Sequence, residues 1–269
     1  MVWIERKAAD WRQELRWAVH DSVVLTGVNL RHFVRKPRLV IFSTIEPVMF
    51  VLLFAYVFGG ALSLALPPGM SYVDFLLPGI FVQSAAFRSI QTSVGLAEDL
   101  EGGVVDRFRS MPMARSAVLV GRTVADLTRS MFVILVMVAV GYLVGFRFRA
   151  GVLEALGAIA VVALFAFALS WIFAWLALTV QSVETAQSAS FVAIYPLVFA
   201  SSVFVPVETM PSWIRAFVQF SPVTLTADVA RALSVGGPIT ADLLGTLAWI
   251  AAIILVFVPL AIRRYRRVA

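Results

Sequence analysis

The chain has 269 residues, of which 61% are hydrophobic and only 14% charged, with a net charge of +6. A water-soluble domain of this size is nearer half apolar and a quarter charged, so the composition excludes an ordinary globular enzyme and makes lipid the solvent. The absence of cysteine excludes disulfides, thiolate metal sites and iron–sulfur clusters, and the basic residues sit beside apolar runs, which argues against nucleic acid as a partner.

The first segment, 1–38, is charged but patterned. Trp11, Leu15, Ala18 and Val19 share one helical face, while Arg12, Arg16 and His20 occupy another. That spacing predicts an amphipathic helix lying along the membrane interface. The apolar run that follows is too long for a signal-peptide core, so no cleavable leader is expected. Both histidines, His20 and His32, precede this run, which makes a buried histidine metal site unlooked-for.

Six stretches are then apolar over the ~20 residues needed to cross ~30 Å of hydrocarbon. They are 39–59, 75–97, 117–145, 152–180, 187–205 and 243–262. Together they predict an all-α membrane protein: one transmembrane domain, with a six-helix bundle over 39–262 and a basic tail at 263–269. Lysine and arginine set its orientation. They crowd the N-terminal segment, the 98–116 loop (Arg107, Arg109, Arg115) and the tail (Arg263, Arg264, Arg266, Arg267), whereas loop 61–71 has none. Both termini are therefore expected in the cytoplasm, with the chain in the bacterial cytoplasmic membrane.

Ionisable groups inside spans are costly, at least ~2.5 kcal/mol each on insertion scales, and so are informative. Glu46 lies roughly 10 Å into the first span and Arg88 roughly 15 Å into the second, at ~1.5 Å per residue. Ser84, Arg88, Gln91 and Gly95 form one polar stripe expected to face the protein interior, with Arg88 paired to Glu46. Ser84, Arg88 and Gln91, with Phe87 on the neighbouring face, are the candidate substrate pathway. Asp126 and Arg129 stand one turn apart, placed to neutralise each other. Two readings of these charges stand: they line a path, or they hold helices together. The last external stretch, 206–238, carries Pro206, Pro211, Trp213, Phe217, Phe220 and Pro222, too apolar for a solvated loop and suited to short helices dipping back into the outer leaflet.

No catalytic constellation appears. The chain has no GxxxxGK[ST] motif, HExxH or GxSxG, so it is not expected to be an enzyme or to bind a cofactor of its own.

Three segments carry a resemblance. The loop Glu98-Asp-Leu-Glu-Gly-Gly-Val-Val-Asp-Arg-Phe-Arg-Ser-Met-Pro-Met-Ala-Arg115 resembles the E…G-x-x-[DE]-R-x-x-x-x-P loop of ABC-2 type permeases. The run Ser202-Val-Phe-Val-Pro-Val-Glu-Thr-Met-Pro-Ser-Trp-Ile214, with Ser221-Pro-Val-Thr224 and residues 228–233, looks like the external re-entrant region of the same family, and Ile45-Glu46-Pro47 also fits. The chain is most similar in character to the daunorubicin-resistance type permeases of actinobacteria. The resemblance implies a type V exporter-like fold in which Glu101, Gly103, Asp106, Arg107 and Pro112 couple the membrane domain to a separate ATPase. That partner, in two copies, would bind ATP and magnesium. A second permease subunit, itself or a paralogue, would complete a dimer exporting a hydrophobic or amphiphilic drug, antibiotic or lipid. Alternatives are export of a lipid-linked glycan, a secondary transporter driven by protons through Glu46 or Asp126, and a non-transporting scaffold. Asp106 stands where a longer carboxylate is common, which weakens the ATPase contact expected there.

Overall fold

The computed structural model describes residue 27 and residues 37–66, 69–103, 115–180 and 182–268. All regular structure among them is helical. Helix α1 (Pro37–Leu53) carries Pro47 inside it and continues through a π-helical turn (Phe54–Phe58) and a last turn (Gly59–Leu62). There follow α2 (Tyr72–Glu101), α3 (Arg115–Val144), α4 (Val152–Ala177), α5 (Val183–Phe199), the short α6 (Ser212–Val218), α7 (Pro222–Val235) and α8 (Thr240–Val268).

The helix starts are written in the local sequence. Ser71 accepts from the Asp74 amide at 3.1 Å and Ser182 from the Thr185 amide at 3.2 Å, the side-chain caps that satisfy donors without an intrahelical partner. Pro222 opens α7 at a position where its missing N–H costs nothing. Gly103, at φ +64, ends the α2 run in the left-handed conformation that glycine adopts freely.

Helices α1 to α5 and α8 run alternately up and down, while α6 and α7 stay at one end. One end of the bundle holds Glu101, Val183 and the last turns of α8, where Arg264 Nε donates to Leu178 O at 3.1 Å. The other holds Tyr72, Arg149, α6, α7 and the start of α8. We call these the Glu101 end and the Arg231 end. Helix α2 is the axis: 83% of its apolar window is buried, against 17% for α1 and for α8. The outward faces of these two elements leave Leu52, Leu53, Tyr56, Leu255 and Val256 exposed, large apolar side chains that suit lipid better than water.

Among the described residues five helices are long and apolar enough to cross a membrane: Thr44–Leu62, Tyr72–Glu101, Thr123–Val144, Val152–Ala177 and Thr240–Tyr265. The expected fifth span, 187–205, takes a different form. Helix α5 starts earlier, at Val183, because Ser182 caps it, and stops at Phe199. Its 17 residues cover about 26 Å at ~1.5 Å each. Beyond Ala200 the chain is irregular but buried, with Ser201, Ser202, Val203 and Phe204 all inside protein, where non-helical backbone at membrane depth is tolerated. This coil crosses α2 at Gly79. A Cβ there would lie 2.6 Å from Val203 O, so only glycine allows the two backbones to meet.

Short helices were expected within 206–238, and α6 and α7 are those helices. Helix α7 is buried against α2, α4 and α8, with Val223, Ala227, Val229 and Ala230 shielded from solvent. The amphipathic N-terminal helix expected around Trp11–Val19 lies outside the described residues.

Candidate functional site

At the Arg231 end, a buried arginine ties three chain segments together. Arg231 Nε donates to Phe75 O at 3.0 Å and Nη2 to Ser202 O at 2.9 Å, while Nη1 pairs with Asp228. Its guanidinium lies 3.7 Å from the Phe75 ring centroid, a cation–π contact strengthened by the absence of water. Ser202 Oγ donates to Asp228 Oδ1 at 2.8 Å, and the Ser202 amide to Thr224 Oγ1 at 3.2 Å. Burial pushes the Asp228 carboxyl up from its ordinary range, opposed by the Arg231 charge, and pushes the Arg231 guanidinium down, opposed by Asp228. Nearby, Arg149 reaches the buried Asp74 at 2.6 Å, and the Arg149 amide donates to Ser234 O at 2.8 Å. Of the sequence-selected positions here, Pro206 is buried and its carbonyl accepts from Thr209. Pro211 starts α6, its carbonyl accepting from Ile214 and Arg215 at 3.0 Å. Trp213 is exposed, and Pro222 starts α7.

A second polar cluster sits between α2, α3 and α4, nearer the Glu101 end. Thr92 Oγ1 donates to Asp126 Oδ2 at 2.7 Å and Arg129 Nη1 to Asp126 Oδ1 at 3.0 Å, so the expected Asp126–Arg129 pair forms. Arg88 lies within electrostatic reach of Glu46 and Asp126. Arg88, Ser89, Thr92, Asp126, Ser130 and Ser170 line a small cavity with room for about one water.

The predicted stripe on α2 is divided. Ser84 and Gly95 are buried, but Gln91 is exposed. The interior polar face runs through Ser89, Thr92 and Ser93 instead, about one residue further round the helix. Helix period alone orients a stripe only relative to itself; which side meets α3 and α4 is set by packing. Glu46 is exposed on α1.

Phe87 is half-buried and joins a ladder of rings. Its ring meets Tyr195 edge-on at 5.3 Å, Tyr195 lies 5.6 Å from Phe191 and 5.8 Å from Phe199, and Phe199 lies 5.4 Å from Phe204. Phe204 stacks on Phe54 at 4.6 Å. The ladder follows α5 from mid-bundle to the Arg231 end, and its outer members Tyr195 and Phe199, with Val192, are exposed.

At the Glu101 end, Glu101 Oε1 accepts from the Val183 amide at 2.8 Å. Gly103 follows in the left-handed conformation. Asp106, Arg107 and Pro112 lie outside the described residues.

Sequence reasoning did not find the partners of Asp74, Glu101 or Arg231. For Arg231 a signal existed, since Asp228 precedes it by one helical turn within an apolar stretch. Among the described residues no cluster of histidine, aspartate or glutamate is arranged to hold a metal.

A family model described as ABC-2 type transporter matches residues 22–234. Over 236 residues the chain is 36% identical to the daunorubicin resistance ABC transporter permease protein DrrB1 of Streptomyces coeruleorubidus, covering 88% of this chain and 81% of that one. It is 29% identical over 259 residues to a probable doxorubicin resistance ABC transporter permease protein, DrrC, of Mycobacterium tuberculosis, covering 94% and 90%. A putative transport permease, ycf38, of Cyanophora paradoxa is 26% identical over 74% of this chain and 69% of its own.

Proposed function

Because the chain belongs to the ABC-2 type transporter family, we propose that it is the permease of an exporter moving amphiphilic, drug-like molecules out of the cell, driven by a separate ATPase. The observation that carries this reading is the 36% identity to a daunorubicin resistance permease over most of both chains. The exposed aromatic edge of α5 adds chemical support, since Tyr195, Phe199 and the half-buried Phe87 offer flat apolar faces to a flat apolar compound. The pathway then runs along this edge, past the exposed Gln91, between this chain and a second permease copy, with Ser84 buried behind it.

In this reading the Glu101 end is cytoplasmic, as the arginines of loop 98–116 and of the tail favour. The chain crosses the bacterial cytoplasmic membrane six times, with α5 and the buried coil after it forming the fifth crossing. Helices α6 and α7 are re-entrant from the outer side, and the Glu46–Arg88 pair forms within the bilayer. The loop from Glu101 to Pro112 receives the ATPase's movement, with ATP and magnesium bound by two copies of that partner. The proton-driven alternative draws no support from Asp126, both of whose carboxylate oxygens are engaged.

The test is co-expression of the tagged chain with its candidate ATP-binding cassette ATPase, in native form and with Asp106→Ala and Arg107→Ala combined. The ATPase co-purifies with the native chain and is lost from the variant, and daunorubicin stimulates ATP hydrolysis by the native complex. Absence of any bound ATPase from the native preparation would sink the reading.

A further inference from the structure

Glu101 occupies the last turn of α2, where the proposed ATPase-facing loop begins, and its carboxylate, though exposed, reaches across to α5. It accepts from the amide of Val183 at 2.8 Å, across 82 residues of sequence. Val183 is the first residue of α5, directly after the Ser182 cap. The first amides of a helix have no intrahelical acceptor, and the helix dipole favours negative charge there. The Ser182 hydroxyl already serves the Thr185 amide, which leaves the Val183 amide for Glu101. The acceptor on the loop side is therefore bonded to the helix that carries Phe191, Tyr195 and Phe199.

We propose that Glu101 is a positioning residue that links the ATPase-facing loop to α5 through the Val183 amide, so that displacement of the loop moves the aromatic edge of α5. This rests on the reading of the chain as an ATPase-driven permease and names how that drive reaches α5. Because the link is a carboxylate oxygen accepting from a backbone amide, a side chain that keeps the acceptor without the charge preserves it. An electrostatic contact with the ATPase would not survive that change.

The geometry also offers a way to cut the link from the other side. Val183 is at the first helical position, where proline fits. Ser182 before it is extended, at φ −145 and ψ 158, the conformation that a residue preceding proline requires. Val183→Pro therefore deletes the donor and leaves both Glu101 and α5 in place, while Val183→Ala keeps the donor and serves as control.

The experiment uses the full complex with its ATPase. The chain has no cysteine, so a bimane attached at Ser188→Cys before the ATPase is added reports from the exposed side of α5 alone. Its emission is compared without nucleotide and after trapping with ATP and vanadate. The native complex shows a nucleotide-dependent shift, which Glu101→Ala and Val183→Pro each reduce by about fivefold, at the low end of allosteric coupling. Glu101→Gln and Val183→Ala retain it, and the Glu101→Ala/Val183→Pro double variant is no worse than either alone. The ATPase stays bound to Val183→Pro. A full shift in Val183→Pro, its loss in Glu101→Gln, or no shift in a native complex that hydrolyses ATP overturns the link. Failure of the ATPase to bind the native chain removes the permease reading itself, and the link with it.

Discussion

Arg231 and Asp126 both bring charge into apolar helix packing, one toward each end of the bundle, and they are held in different ways. Arg231 has two backbone carbonyls, a carboxylate and an aromatic face around it, drawn from α2, α7 and the coil after α5. No part of that arrangement can shift without breaking another part. Asp126 is held by two side chains, Thr92 and Arg129, beside a small cavity lined by serines. Side chains exchange rotamers where carbonyls of packed helices do not, and the cavity leaves room to do so. The difference predicts that the Arg231 end holds the bundle together and that the Asp126 cluster accommodates motion between α2, α3 and α4.

Four substitutions break or sharpen that contrast. The largest effect is expected from Arg231→Ala, which strands Asp228 and two buried carbonyls at a cost of about 3–5 kcal/mol; thermal unfolding in detergent should show a lowered midpoint and a reduced folded yield. Gly79→Ala comes next. Its Cβ meets the Val203 backbone rather than a flexible side chain, so overpacking of about 1–3 kcal/mol follows, read in the same unfolding assay. Asp126→Asn keeps the shape and the Thr92 contact but removes the charge opposite Arg129, and about 1–2 kcal/mol is expected. The comparison predicts a different signature for it: folded yield close to native, with efflux of drug-like compounds, on the proposed permease reading, lowered. If efflux is unchanged, the Asp126 cluster is structural glue like its counterpart. The smallest effect is Trp249→Phe, which removes the bond from Nε1 to Phe220 O at 3.0 Å and should cost about 0.5–1.5 kcal/mol.

Legibility in the sequence followed the range of the interaction. Helices α1 to α4 and α8 were readable because the apolar runs that define them are continuous. Helix α5 was displaced because its start depends on the Ser182 cap and its end on a coil sheltered by α2. The Asp126–Arg129 pair was readable because its members are three residues apart. Arg149 and Asp74 are 75 residues apart, and Glu101 and Val183 are 82 apart, so nothing local announced them. Gly79 looked like any glycine in an apolar helix until the Val203 backbone was found against it.

Composition and hydropathy by themselves pointed to a helical, membrane-embedded protein, because continuous apolar runs of about 20 residues suit spanning helices, which satisfy every backbone polar group within their own segment. Motif order within single loops pointed to its family for the same reason, each motif being contiguous. Only the tertiary structure decided which side of α2 faces inward, which distant partners Asp74 and Arg231 receive, and that Glu101 meets α5. Those outcomes depend on how helices rotate and approach one another, and contacts between distant segments are set by packing rather than by the local chain.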